Sequence, residues 1–183
     1  MALERLKGLV HRFYLASPLA FADWTNPTIA ELNANPTNDP DGLIWNLTCA
    51  MNTDGTTFDL GDPTTDDSLT FCQIAGTSPI LEHNPEVVFQ TVRSTDPWVV
   101  TDTATENVAN LAFSLLAWPD VEYFAIMSVG EEPETPFAAG HRVKMARVAT
   151  DIGVDVTGSG ENVALEQNFL ARGDVNWNYA LTV

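Results

Sequence analysis

The C-terminal stretch of the chain alternates between apolar and polar positions. Every second residue is aromatic, aliphatic or β-branched, and the series is Val175, Trp177, Tyr179, Leu181 and Val183. Successive side chains of a β-strand point to opposite faces of a sheet, so a period of two with these residue types predicts a half-buried strand. We therefore expect a strand over 175–183.

Seven other segments have the composition of strands. They are rich in β-branched and aromatic residues, and clusters of Gly, Pro, Asn and Asp typical of turns separate them. They are 9–16, 43–51, 68–73, 87–92, 121–129, 141–150 and 163–170. The pattern predicts a mainly β chain.

A single segment has the apolar period of a helix. Its apolar stripe consists of Val108, Leu111, Ala112, Leu115 and Leu116, the spacing that places residues on one face of an α-helix. The preceding TATE sequence at 103–106 has the form of a capping box, and a proline at position 119 ends the pattern. One helix over 103–117 among about eight strands indicates a β-sandwich or barrel with the helix packed on one side.

The stretch 17–41 lacks a regular period. It is rich in Pro, Asn, Asp and Ala and contains three Asn-Pro or Asp-Pro pairs, at 26–27, 35–36 and 39–40. A short helical turn is predicted near 29–33, and the rest is predicted to be loop. Loops of about two dozen residues are uncommon in compact domains and are usually functional or disordered. Two interpretations stay open: a mobile surface loop, or an interaction loop that becomes ordered against a partner.

Composition limits the class of protein. The 183 residues fit a single domain, 1–183, and the 8 Lys and Arg against 25 Asp and Glu give a net charge of −17. Such a chain has few cations for phosphate backbones or anionic lipids, which argues against a general nucleic-acid binder and against a membrane binder. No apolar run approaches the length of a membrane helix, and no signal peptide is predicted.

Six of the eight Lys and Arg residues lie in two short clusters. The N-terminal basic island is Arg5, Lys7 and Arg12, and the second basic island is Arg142, Lys144 and Arg147. The stretch 13–92 has no Lys or Arg, and its acids are densest at Asp59, Asp62, Asp66 and Asp67. One interpretation is a solvated surface that keeps the protein soluble. The other is contact between copies, with basic islands of one meeting acids of another; the subunit-contact residues would then be Arg5, Lys7, Arg12, Arg142, Lys144, Asp66 and Asp67.

Motifs for catalysis, cofactors or metals are lacking, so we predict no enzyme, no cofactor and no catalytic, cofactor-binding or metal residue. The three His residues are far apart, and no phosphate loop, nucleotide fingerprint or nucleophile elbow occurs. Cys49 and Cys72 are too few for a disulfide scaffold or for a zinc site of their own. We interpret them as two buried free thiols, with a bridge between them as the alternative.

The stretch NTDGTTFDLGD at 52–62 has some features of a calcium loop. If Gly55 held the sixth position of an EF-hand loop, the first and twelfth positions would be Ala50 and Gly61, which supply no carboxylate. We interpret Asp54-Gly55 as a hairpin turn instead.

Six stretches, in order along most of the chain, resemble the major tail tube protein of long-tailed (siphovirus-type) actinobacteriophages. They are HRFYLASPLA at 11–20, TCAMNTDGTTFDLGD at 48–62, DDSLTFC at 66–72, AFSLLAWPDVEYFAIMSVG at 112–130, PFAAGHRVKM at 136–145 and QNFLARGDVNW at 167–177. The region 20–47 is longer and less similar to the family's pattern.

The resemblance implies a fold and an assembly. The fold is a β-sandwich or barrel of two packed sheets with one flanking α-helix, as in phage tail tubes and the tube of type VI secretion. The assembly is a homo-oligomeric, hexameric ring stacked into a tail tube in the virion, formed in the bacterial host cytoplasm. The family's N-terminal arm and long loop, which grip neighbouring subunits, correspond to 1–12 and about 17–44.

The resemblance also implies partners. These are the tape measure, tail tip and tail terminator proteins, with DNA passing through the lumen without specific binding and with no membrane partner. Carboxylates lining such a lumen would repel phosphates. Alternatives are another tube-like or tail-terminator component of a virion or secretion system, or a β-barrel that binds a small ligand in a pocket.

Overall fold

Strands dominate the computed structural model of the chain, as the alternating pattern predicts. The structure describes residues 11–52, 55–60, 64–65, 80–82, 85–92, 105–157 and 163–181. Among these residues, no helix is long and apolar enough to cross a membrane.

Ten strands and two α-helices make up the regular structure of the described ranges. The strands are β1 His11–Ala16, β2 Ile44–Asn46, β3 Thr57–Leu60, β4 Thr64–Thr65, β5 Ile80–Glu82, β6 Pro85–Val92, β7 Glu122–Val129, β8 Arg142–Thr150, β9 Val154–Thr157 and β10 Val163–Ala180. The helices are α1 Ile29–Leu32 and α2 Thr105–Leu116, and 3₁₀ turns lie at Pro18–Ala20 and Thr48–Ala50.

One long strand joins two layers of antiparallel sheet. The strand order is β2-β1-β7-β8-β10-β6-β3, with β9 also on β10, and β4 and β5 form a separate pair. The C-terminal half of β10 pairs with β8, which defines the first layer as β2, β1, β7, β8 and that half. The N-terminal half of β10 pairs with β6 and β9. Together with β3, which pairs with β6, these strands form the second layer. A register shift between Ala171 and Val175, around Gly173 with a φ of 126°, lies where β10 runs beside β8.

The main core lies between the two layers. The Phe89 ring of the second layer contacts Phe13 of β1 at 5.7 Å and Phe169 of β10 at 5.1 Å between centroids. Phe58 of β3 also packs on Trp177 of β10, with 5.8 Å between ring centroids. The buried face of α2, including Leu111 and Leu116, joins this cluster. The predicted fold class, mainly β with packed sheets and a flanking α-helix, is confirmed.

The segment 17–43 covers the opposite face of the first layer. Phe21 and Leu32 pack with Phe124 and Met145 in a second cluster, and the Trp24 ring stacks on Phe124 at 5.4 Å. The predicted helical turn is present as α1, with Thr28 and Glu31 forming a capping box. The segment is therefore ordered by contacts with its own sheet.

Three predicted strands have different bounds in the structure. The stretch 43–51 forms only β2 and then a 3₁₀ turn, because the Asn46 side-chain oxygen accepts bonds from the backbone N–H and hydroxyl of Thr48. Such local side-chain bonds compete with the sheet ladder. The segments 163–170 and 175–183 merge into β10, which absorbs its irregularities as bulges. Strands β3, β4, β5 and β9 were not predicted, and 68–73 lies outside the described residues.

The hairpin interpretation of Asp54-Gly55 is wrong. Met51 bridges Thr91, and Thr57 pairs with Val88, so the chain runs along the same edge of β6 before and after the turn without reversing. A Cβ at Gly55 would lie 2.3 Å from the end of the Gln90 side chain, which would have to shift to admit a larger residue. Asp54 itself is outside the described residues.

Candidate assembly surface

The N-terminal basic island divides between the described structure and the residues before it. Arg5 and Lys7 precede residue 11 and lie outside the described residues. Arg12 lies in β1 and is 0% exposed. A side chain buried in its own chain offers no surface to a second copy, so Arg12 differs from the surface contact expected from sequence.

Arg12 binds a segment that follows β7. Its Nη1 donates to the Thr135 carbonyl and its Nη2 donates to the Ser128 hydroxyl at 3.0 Å. The guanidinium also lies 4.5 Å from the centre of the Phe137 ring. Burial raises the pKa of neighbouring Tyr14, and the charge and hydrogen bond of Arg12 partly oppose this rise. Arg12 thus fixes the segment 128–137 against β1.

The second basic island does not form a single patch. Lys144 and Arg147 point to opposite faces of β8 because they are three positions apart and successive side chains of a strand alternate between its faces. The Lys144 ammonium lies 4.2 Å from the Trp177 ring centre, and Arg147 pairs with Glu122 at 2.7 Å. Arg142 is exposed, and its side chain has no partner in the described ranges. It remains available to another molecule.

The acidic partners expected from sequence are only partly described. Asp59 is exposed on β3, opposite Glu86 of β6. Asp62, Asp66 and Asp67 fall outside the described residues, so their pairing with the basic islands stays a prediction.

Several strand edges lack a pairing partner among the described residues. β2, β3 and β9 each pair on one side only, and the C-terminal half of β10 pairs only with β8. Large apolar side chains are exposed beside β9, including Ile152 at 71% and Val154 at 52%. Unpaired edges with exposed apolar residues are templates for association with another chain.

A cleft of about 590 Å³ lies between the segment 17–43 and the residues that follow β7. Its lining includes Tyr14 and Leu32 on the outer side of the first layer and Val108 and Leu111 of α2. The remaining lining residues are Asn33, Asn35, Pro36, Thr37, Asn38, Pro40, Asn46, Cys49, Pro133, Glu134, Thr135 and Pro136. Residues from four separate parts of the chain therefore meet at one surface.

Asparagine side chains hold the walls of the cleft in place. Asn33 both donates to and accepts from the backbone of Phe137, at 2.9 and 2.8 Å. Asn38 makes the same two-way contact with the backbone of Asn46, whose own amide donates to the Pro133 carbonyl at 2.7 Å. These bonds explain the many asparagines of the stretch 17–46, which the sequence pattern indicates only as turn-forming residues.

Cys49 lines the cleft and is an exposed, free thiol. The prediction that it is buried is wrong, because the 3₁₀ turn at Thr48–Ala50 turns it away from the core while Leu47 and Ala50 point inward. Cys72 lies outside the described residues.

Titratable groups do not gather into a reaction centre in the described ranges. No cluster of three or more His, Cys, Asp or Glu residues there could hold a metal ion. The largest resolved pKa change is that of Tyr123, which burial raises to about 12, and its hydroxyl donates to the Leu115 carbonyl at the end of α2. This tyrosine fastens the helix to β7.

Comparison with known families agrees with this architecture. The family model described as phage tail tube protein matches residues 10–182, nearly the whole chain. None of the curated proteins matches the chain. With its mainly β fold, flanking helix and match over 10–182, the chain belongs to the phage tail tube protein family.

Proposed function

We propose that the chain is the major tail tube subunit of a long-tailed actinobacteriophage and assembles into sixfold rings that stack into a tube. DNA passes through this tube into the host. Family membership over residues 10–182 is the observation that carries the proposal. The tube forms in the host cytoplasm, becomes part of the virion tail, and contacts the tape measure, tail tip and tail terminator proteins.

The strand edges support self-association. β3, β9 and the C-terminal half of β10 present backbone groups without partners in the described chain. In a homopolymer a neighbouring copy covers such edges, and the exposed Ile152 and Val154 gain an apolar contact.

The charge of the chain supports DNA passage. A net charge of −17 leaves few cations to bind phosphates, so DNA would slide past without the counterion release that drives binding. The same charge makes copies repel one another, so local complementary contacts are needed. Arg5, Lys7 and exposed Arg142 are the proposed basic partners, and Asp66 and Asp67 are the proposed acidic ones.

An N-terminal deletion tests this assembly. Removing residues 2–8 leaves β1 and both packed layers intact, so the variant should keep the melting temperature of the unassembled full-length protein. It should form no tubes in sedimentation and negative-stain electron microscopy, because the N-terminal residues no longer reach a neighbour. Tubes of normal length from the shortened protein would contradict this role for the arm.

A further inference from the structure

We propose that the cleft between the segments 32–49 and 133–136 receives the N-terminal residues of a second copy of this chain. This inference rests on the proposed self-assembly and identifies the surface that takes up the arm. The cleft volume of about 590 Å³ lies within the range of ligand-binding sites, roughly 300–1,000 Å³, and has room for several aliphatic side chains.

Apolar and polar groups contribute about equally to the lining of the cleft, and its walls are held on a fixed frame. Its apolar part consists of four prolines, Val108 and the largely buried Tyr14, Leu32 and Leu111. The asparagine bonds to the backbone of Asn46, Pro133 and Phe137 hold the two sides together. A preformed site loses little conformational freedom when it binds a peptide, which favours affinity.

The charges around the cleft match those of the N-terminal residues. Exposed Asp39 and Asp41 flank Pro40 on one wall, and Glu132 and Glu134 flank Pro133 on the other. No Lys or Arg is among the lining residues. The first ten residues carry leucine at positions 3, 6 and 9 with Arg5 and Lys7 between them. Leucines against the apolar part of the cleft and cations on its acidic rim form one complementary contact.

The symmetry of the contact favours a second copy as its source. An arm in the cleft of the next copy joins two different surfaces, which is a heterologous contact that repeats from subunit to subunit into a ring or an open-ended stack. An arm in its own cleft would join no two subunits. Because β1 carries both Arg12 and the cleft residue Tyr14, each arm leads directly into the strand that supports its own cleft.

Disulfide trapping between two differently marked populations tests the proposal. The first population carries Leu6→Cys with Cys49→Ser and Cys72→Ser, and the second carries Cys72→Ser and an affinity tag, keeping native Cys49. The two are mixed, assembled and oxidised. A bond between tagged and untagged chains can then form only between copies. Docking raises the effective thiol concentration to the millimolar range, so at about 10 micromolar protein we expect cross-linking on the order of a hundredfold faster than between freely diffusing thiols.

The matched control replaces Leu6→Cys by Leu19→Cys. Leu19 is 81% exposed and does not line the cleft, so this variant should cross-link to Cys49 only at the slow, diffusive rate. If the change at position 6 prevents assembly, Leu3→Cys takes its place.

Three other outcomes would contradict the docking site, the proposed function or both. Tubes that form without a bond from position 3 or 6 to Cys49 would overturn the docking site but not the proposed function. A single-chain variant with thiols at position 6 and Cys49 that forms only an internal bond would show that the arm occupies its own cleft, which also overturns the proposal. Failure of the unmodified protein to form rings or tubes under any condition would refute the proposed function and this contact with it.

Discussion

Replacement of Arg12 by methionine separates a role inside the subunit from a role between subunits. The guanidinium is buried, donates to Thr135 and Ser128 and lies over the Phe137 ring. Methionine fills part of the same space but leaves the Thr135 carbonyl and the Ser128 hydroxyl without these donors. We therefore expect the Arg12→Met variant to be less stable as a single subunit.

The magnitude follows from the contacts that are lost. Hydrogen bonds from a charged donor contribute about 1.5–3 kcal/mol each, and a desolvated cation–π contact contributes about 2 kcal/mol. Several kcal/mol are offset because the variant no longer buries a charge. The net expected loss is about 2–4 kcal/mol. In a chain of this length, 1 kcal/mol corresponds to roughly 2–4 °C of melting temperature.

Urea unfolding of unassembled protein, followed by circular dichroism, measures this loss. The matched control is Arg142→Met, because Arg142 is exposed and has no side-chain partner in the described structure. We expect that control to stay within about 0.5 kcal/mol of the unmodified protein. Equal unfolding free energies for Arg12→Met and Arg142→Met would refute the buried role of Arg12 and favour the contact between copies expected from sequence.

Three further predictions concern charge, thiols and pH. Reversal of exposed Arg142 to glutamate should leave the subunit folded but stop tube growth in sedimentation assays, and unimpaired tubes would show that Arg142 faces solvent. Exposed Cys49 should react rapidly with a thiol reagent in the folded, unassembled protein, and Ser at both Cys49 and Cys72 should leave assembly intact under reducing conditions; a native bond found by mass spectrometry would contradict this. The pKa of Tyr123 is raised to about 12, so its stabilising effect is complete below pH 10 and is lost as the pH rises through 12. Stability that falls equally steeply over this interval in Tyr123→Phe would contradict that assignment.

The two periods of the sequence predict most of the fold. Alternation at Val175 and Trp177 places both side chains toward the main core, and the spacing of Leu111 and Leu116 places α2 against it. These predictions succeed because burial on one face constrains every second residue of a strand and every third or fourth residue of a helix. Strand β9 escapes detection because Ile152, Val154 and the residues around them are largely exposed, so no buried face imposes a pattern.

The cleft could not be predicted in the same way. Its lining joins Tyr14, Asn46, Val108 and Pro133, which only the tertiary structure brings together. The one local signal is the density of asparagine in 33–46, since asparagine side chains can bind neighbouring backbone groups. That signal indicates turns but not the distant backbone of Pro133 and Phe137. The burial of Arg12 could not be predicted either, because its hydrogen-bond partners lie more than a hundred residues away in the sequence.

Electron cryomicroscopy of the purified protein tests the central proposal most directly. The sample is concentrated, with tail-tip factors added to nucleate growth, and the particles are averaged without imposed symmetry. We expect hollow tubes of this polypeptide alone, built of stacked sixfold rings around a lumen wide enough for double-stranded DNA. Compact single subunits that persist at high concentration with every nucleating factor supplied would contradict it.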